Sequence, residues 1–93
     1  MPDNKNYFAP CQVLPGVFDS EFYVMLGDSS AYVSRSCVEV STPPSLHDAV
    51  VGQVRVTLVS FDDTREKALV QMPGEAVIGS PRSWVAVQEL KTD

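Results

Sequence analysis

Residues 52–61 read GQVRVTLVSF, and this stretch decides the fold class. Apolar side chains stand at alternate positions, the period of two expected of a strand with one buried face: Val54, Val56 and Leu58. A charged segment follows at residues 62–67, DDTREK, and residues 68–72, ALVQM, turn apolar again. The sequence therefore predicts an antiparallel hairpin whose tip is too polar to bury.

The rest of the chain indicates short strands separated by turns. Residues 22–26, FYVML, form an apolar run closed by a Gly-Asp-Ser-Ser turn, and residues 83–87, SWVAV, form another run. Two adjacent prolines interrupt the chain at residues 41–45, STPPS, and residues 46–51 are long enough for one helical turn. Since there is no helical period over ten residues, we expect one all-β domain over residues 1–93 with five to seven strands.

The two halves of the chain resemble each other. Residues 11–40 and residues 54–90 run through the same order of apolar segments and turns, and residues 41–53 join them. The matches are Phe18-Asp19 with Phe61-Asp62, residues 25–28 with residues 72–75, and Tyr32-Val33 with Trp84-Val85. A duplicated unit packs on its twin to cover its apolar face. We therefore expect either one small barrel or two fused three-stranded half-barrels.

The spacing Trp84-Val85-Ala86-x-x-x-Leu90 resembles the end of an SH3-like barrel, where a strand, a single 3₁₀ turn and a short final strand follow one another. Residues 32–38, YVSRSCV, look similar at the end of the first repeat. The resemblance implies a small SH3-like barrel. Ser34 and Ala86 stand where such modules often carry a proline, so recognition of proline-rich peptides is not implied.

Composition and charge narrow the classes of function. The chain has 93 residues, of which 44% are hydrophobic and 20% charged, which is typical of one globular domain. Twelve acidic and seven scattered basic residues give a net charge of −5, which disfavours nucleic-acid binding and leaves an acidic nucleic-acid mimic as a weak hypothesis. With neither a secretory signal nor an apolar membrane span in the sequence, we expect a cytoplasmic protein that binds no membrane.

Residues that carry catalysis or bind metal are sparse. Cys11 and Cys37 lie 26 residues apart without a C-x-x-C pair, and the single histidine, His47, lies in the linker. The sequence therefore predicts no enzyme, no cofactor and no metal site. A disulfide between the two cysteines stays open, although a chain without an export signal favours two separate thiols that act as small hydrophobes.

Aromatic and acidic residues are the candidates for binding. Tyr23, Tyr32 and Trp84 form an aromatic platform if they are exposed, whereas in the alternative Tyr32 and Trp84 pack in the core at equivalent repeat positions. Asp62, Asp63 and Glu66 lie on the hairpin tip, where we expect the rim of a contact surface and not a cation site.

The function that these features predict is that of a small, acidic, non-catalytic interaction module. We expect it to bind a protein partner as an adaptor, or to associate with itself as a homodimer through an edge strand. The alternative, from another class, is a barrel that binds a small apolar molecule.

Overall fold

The computed structural model describes residues 6–78 and 80–92 of the chain. Within them lie nine strands: β1 (Asn6–Pro15), β2 (Glu21–Leu26), β3 (Ser29–Ser34), β4 (Val38–Val40), β5 (Val50–Phe61), β6 (Lys67–Gln71), β7 (Glu75–Ile78), β8 (Arg82–Ala86) and β9 (Lys91–Thr92). Two 3₁₀ turns, Arg35–Cys37 and Val87–Glu89, precede β4 and β9. The all-β prediction is confirmed, because 62% of the described residues lie in strands.

A single antiparallel sheet runs through both halves of the chain. Its order is β7-β3-β2-β1-β5-β6-β8, with β4 added to β5 and β9 added to β1. The sheet curls until its two ends approach, and the Ser29 hydroxyl of β3 donates a hydrogen bond to the Arg82 carbonyl of β8 at 2.9 Å. The result is the small, nearly closed barrel that the sequence predicted.

The barrel interior is filled by alternate side chains of the strands. On β5, Val54 and Val56 are buried while Thr57 is exposed, as the period of two predicted. The largest fully buried side chains come from both halves: Leu26, Met72, Val13, Val24, Val33, Val54, Val56 and Val70. Burial of each such side chain contributes about 1.5–3 kcal/mol relative to its exposure, so this interior is the main source of stability.

β1 and β5, the two longest described strands, pair at the centre of the sheet, and their register is symmetric between the two halves of the chain. Ala9 lies opposite Val54, Cys11 lies opposite Gly52, and Pro10 lies opposite Gln53 between them. Suppose that Ala9 in the first half corresponds to Gly52 in the second, and Cys11 to Val54. The pair Ala9–Val54 then corresponds to the pair Gly52–Cys11, so the register is the same seen from either half. Duplication of one unit accounts for this register and stays a prediction.

The last strand of each half also pairs with a strand of the other half. β4 pairs with β5 and β9 pairs with β1, so the first strand of each half is covered by the final strand of its counterpart. Neither half therefore contains all the strand partners of its own first strand. Repeated units that pack on each other are expected to share strands in this way, and the duplication itself stays a prediction.

Several details differ from the sequence prediction. Nine strands occur in the described chain instead of five to seven. Each 3₁₀ turn is followed by a short strand, β4 or β9, and β7 forms a further strand that pairs with β3. Residues 46–51 form no helical turn: Ser45 and Asp48 exchange two backbone hydrogen bonds of 3.3 Å in a tight turn, and β5 begins at Val50, inside the predicted linker. Leu26 and Met72 each end a buried alternation, whereas Met25, which the repeat hypothesis matches to Met72, is half-buried; the repeat match itself stays a prediction.

Candidate functional site

Tyr23 and Tyr32 lie side by side on the outer face of the barrel. They are directly opposite each other on β2 and β3, with ring centroids 5.4 Å apart and planes tilted by 58°. Their strand neighbours Phe22 and Val33 are buried, so the tyrosines project to the other face. The Tyr23 hydroxyl donates to the Ser30 hydroxyl oxygen at 2.9 Å, which fixes that ring.

Trp84 lies apart from the two tyrosines. It is on β8 opposite Leu69, and 49% of its surface is exposed. The alternative in which this ring packs in the core is therefore wrong, because its neighbour Val85 takes the inward position opposite buried Ala68. Among the described residues, no ring contact joins Trp84 to Tyr23 or Tyr32, so the three candidates do not form one platform.

The acidic hairpin tip is organised around Asp62. Its Oδ1 accepts the backbone N–H groups of Glu66 at 3.0 Å and Lys67 at 3.2 Å, and its Oδ2 accepts the Thr64 hydroxyl at 3.2 Å. The hydrogen bond from the Lys67 N–H is the main cause that lowers the pKa of Asp62 below its ordinary value. This carboxylate shapes the turn, whereas Asp63 and Glu66 are exposed at the rim.

The remaining polar candidates do not assemble into a reactive cluster. Cys11 and Cys37 are free thiols, the first buried and the second half-buried, and His47 is exposed in the linker turn. Burial raises the pKa of the Cys11 thiol to about 12, so it stays protonated at neutral pH. Over residues 6–78 and 80–92, no group of three or more metal-ligating side chains comes together.

Sequence reasoning missed the most exposed apolar pair beside the tyrosines. Val17 and Phe18 are 69% and 68% exposed in the turn between β1 and β2. The turn is held in shape, because the Val17 N–H donates to Glu21 Oε2 and the Glu21 N–H donates to the Phe18 carbonyl, both at 3.2 Å. Two consecutive apolar residues between Pro15-Gly16 and Asp19-Ser20 were the available signal, since turns of this kind are usually polar.

This turn and Tyr32 border an open cleft of about 460 Å³, which we call the Phe18 cleft. It is lined by Val17, Phe18, Glu21, Tyr32, Pro73 and Gly74. The opposite wall comes from the connection between β6 and β7, which packs tightly on β3: a Cβ at Gly74 would collide with the Tyr32 carbonyl oxygen. The cleft therefore joins residues from both halves of the chain.

Comparison of the chain with models of protein families, with curated proteins and with solved structures finds no match. Within the described ranges, no helix has the length and apolarity needed to span a membrane.

Proposed function

We propose that the chain is a small cytoplasmic protein-binding module that contacts its partner through the Phe18 cleft and the adjoining Tyr23 ring. The observation that carries this proposal is the exposure of Val17 and Phe18 in a turn held by hydrogen bonds, directly beside Tyr32 and Pro73. Covering an ordered, exposed apolar group with a partner removes it from water, which lowers the free energy and favours binding. Aromatic side chains are typical anchors of protein interfaces.

The arrangement of the strands supports an SH3-like type of barrel for this module. In both halves a strand runs into a three-residue 3₁₀ turn and a short final strand, first at Arg35–Cys37 and again at Val87–Glu89. Ser34 and Ala86 stand where proline-rich-peptide binders often carry a proline, so the proposal rests on the cleft and not on the barrel type.

The test compares partner recovery by two variants from a lysate of the native host. Phe18→Ser removes the exposed ring in the cleft, and Leu46→Ser removes an 80% exposed side chain in the linker turn as a matched control. We expect Phe18→Ser to reduce recovery of the specific partner at least about tenfold, as for an interface anchor, and Leu46→Ser to leave it unchanged. Equal recovery by both variants and the wild type contradicts the proposal.

A second surface favours self-association. Trp84 is half-exposed on β8, whose only strand partner in the described part of the sheet is β6. The Arg82 carbonyl at the start of β8 already accepts the Ser29 hydroxyl, but the rest of this edge, with its exposed aromatic residue, offers backbone hydrogen bonds and apolar area to a second copy. We propose a homodimer through β8, and sedimentation over a concentration series measures it. We expect the wild type to dimerise as its concentration rises and Trp84→Ala to dimerise less; a wild type that stays monomeric at all concentrations contradicts the proposal.

The barrel interior gives less support to a small apolar ligand. Val24, Val54 and Val70 are fully buried there, and the small barrel is filled by such side chains. A thermal-shift screen distinguishes the two hypotheses, because a metabolite that binds the folded state raises its melting temperature.

A further inference from the structure

We infer that the Phe18 cleft takes a short peptide segment in which an aliphatic or aromatic side chain is flanked by lysine or arginine. This inference rests on the proposed function and adds the chemistry of the partner. The apolar part of the segment replaces water on Val17, Phe18 and Pro73, and the basic part meets the negative charge at the cleft.

The negative charge of the cleft comes from the turn between β1 and β2 and the start of β2. Among the described residues that line it, Glu21 alone is charged, and Asp19, which follows Phe18 directly, is exposed. Glu21 Oε2 accepts the Val17 N–H at 3.2 Å. A carboxylate has about four acceptor sites, so this bond leaves most of them for a cation from the partner.

The basic residue nearest to the cleft in sequence is already engaged. The Arg35 guanidinium lies 4.5 Å from the centroid of the Phe22 ring and does not line the cleft. Arg35 therefore stacks on Phe22 and, among the described residues, forms no ion pair with Glu21, which leaves the Glu21 carboxylate to the partner. The net charge of −5 acts in the same direction, since it attracts a basic segment over longer distances.

Tyr32 supplies the remaining polar contact. Its hydroxyl has no hydrogen-bond partner among the described residues, whereas the hydroxyl of its neighbour Tyr23 donates to Ser30. Its ring borders the cleft and is half-buried, so it offers an aromatic surface to an apolar or cationic side chain. A different cleft, between the hairpin tip and Val87, is lined by Arg65, Glu66 and Lys67 and so carries both signs of charge. It shows no comparable preference.

A randomised heptapeptide phage library is the probe that tests this inference. It is selected on the wild-type protein after clones that bind Phe18→Ser have been removed. Enriched peptides are synthesised and titrated against wild type, Phe18→Ser and Glu21→Gln. Glu21→Gln keeps an oxygen for the Val17 N–H and removes the charge.

We expect enriched peptides to carry an apolar residue beside lysine or arginine. Their affinity should fall at least about tenfold for Phe18→Ser and about threefold for Glu21→Gln, and the Glu21 effect should shrink in 0.5 M salt, where charge is screened beyond roughly 4 Å. Apolar peptides without a basic residue, lost in Phe18→Ser but unchanged in Glu21→Gln, overturn the inference and leave the proposed function standing. An absence of Phe18-dependent peptides also overturns it, and the lysate comparison then decides the proposed function separately.

Discussion

Tyr32 and Trp84 occupy corresponding positions in the two halves of the chain. Each stands three residues ahead of a 3₁₀ turn, and each lies across from the third residue of a paired strand, Tyr23 of β2 for Tyr32 and Leu69 of β6 for Trp84. Their surroundings nevertheless differ. Tyr32 borders the Phe18 cleft beside another tyrosine, whereas Trp84 has an aliphatic neighbour and half its surface in water.

Replacement of Trp84 by alanine should leave the fold nearly unchanged. The ring is 49% exposed on the outer face, so its removal should lower the free energy of unfolding by only about 1 kcal/mol. Met72→Ala is the matched control, because that side chain is 1% exposed in the core and its loss should cost about 2–5 kcal/mol. Urea denaturation measures both. If the Trp84 variant is unfolded at neutral pH, the ring contributes to the core and the assignment of Trp84 to the outer face is wrong.

The hairpin tip should respond to acid through Asp62. Because the pKa of Asp62 is lowered in the folded state, its contribution to stability is fully present above the ordinary value of 3.8 and is lost as the pH falls further. Asp62→Asn should therefore be less stable than wild type at pH 7 but show a flatter decline of stability as the pH falls below 3.8.

Asp63→Asn is the control for this acid effect. Asp63 is the exposed neighbour, and it makes none of the side-chain hydrogen bonds that organise the described tip. Denaturation midpoints at several pH values compare the three proteins. An acid profile of Asp62→Asn parallel to that of wild type would refute the role of this carboxylate.

Local patterns explain what could be predicted from the sequence. The alternation through Val54 and Val56 and the charged tip are features of neighbouring residues, so they predicted the central hairpin and the all-β class. The face of Trp84 could not be predicted, because Val85 beside it is equally apolar and only the pairing with Ala68 decides between them. The double proline predicted a break, but not that a tight turn would return the chain into β5 so early.

The Phe18 cleft lay beyond sequence reasoning for a related reason. Its walls meet only because β7 crosses to pair with β3, which brings Gly74 against the Tyr32 carbonyl across a long separation in the chain. No periodicity predicts such a crossing. The exposed pair in the turn was visible as a departure from polar turn composition, but its partners in the cleft were not.

Close packing at Gly74 predicts that any side chain there disrupts the cleft. Since a Cβ would collide with the backbone oxygen of Tyr32, Gly74→Ala should lower the free energy of unfolding by about 1–3 kcal/mol. Pro73→Ala, at the exposed neighbouring position, should cost less than about 1 kcal/mol. Denaturation curves and the amide resonances of Tyr32 and Phe18 report the two effects; equal stability of both variants would show that the connection does not pack on β3.

The buried thiol of Cys11 should make the fold sensitive to alkali. Its pKa is raised from 9.0 to about 12 in the folded state, so the unfolded chain loses this proton first as the pH rises. The stabilising contribution is therefore fully present below pH 9 and declines above it by at most about 1.4 kcal/mol per pH unit.

Thiolate absorbance near 240 nm measures this shift directly in a Cys37→Ala background, where Cys11 is the only thiol. At pH 10 the folded protein should show almost no thiolate, whereas the same protein in urea should be mostly ionised, because its thiol is then in water. Cys11→Ala in the same background supplies the baseline, since it retains the tyrosines that also absorb. Ionisation of the folded protein at the same pH as the unfolded one would mean that β1 does not hold this side chain away from water.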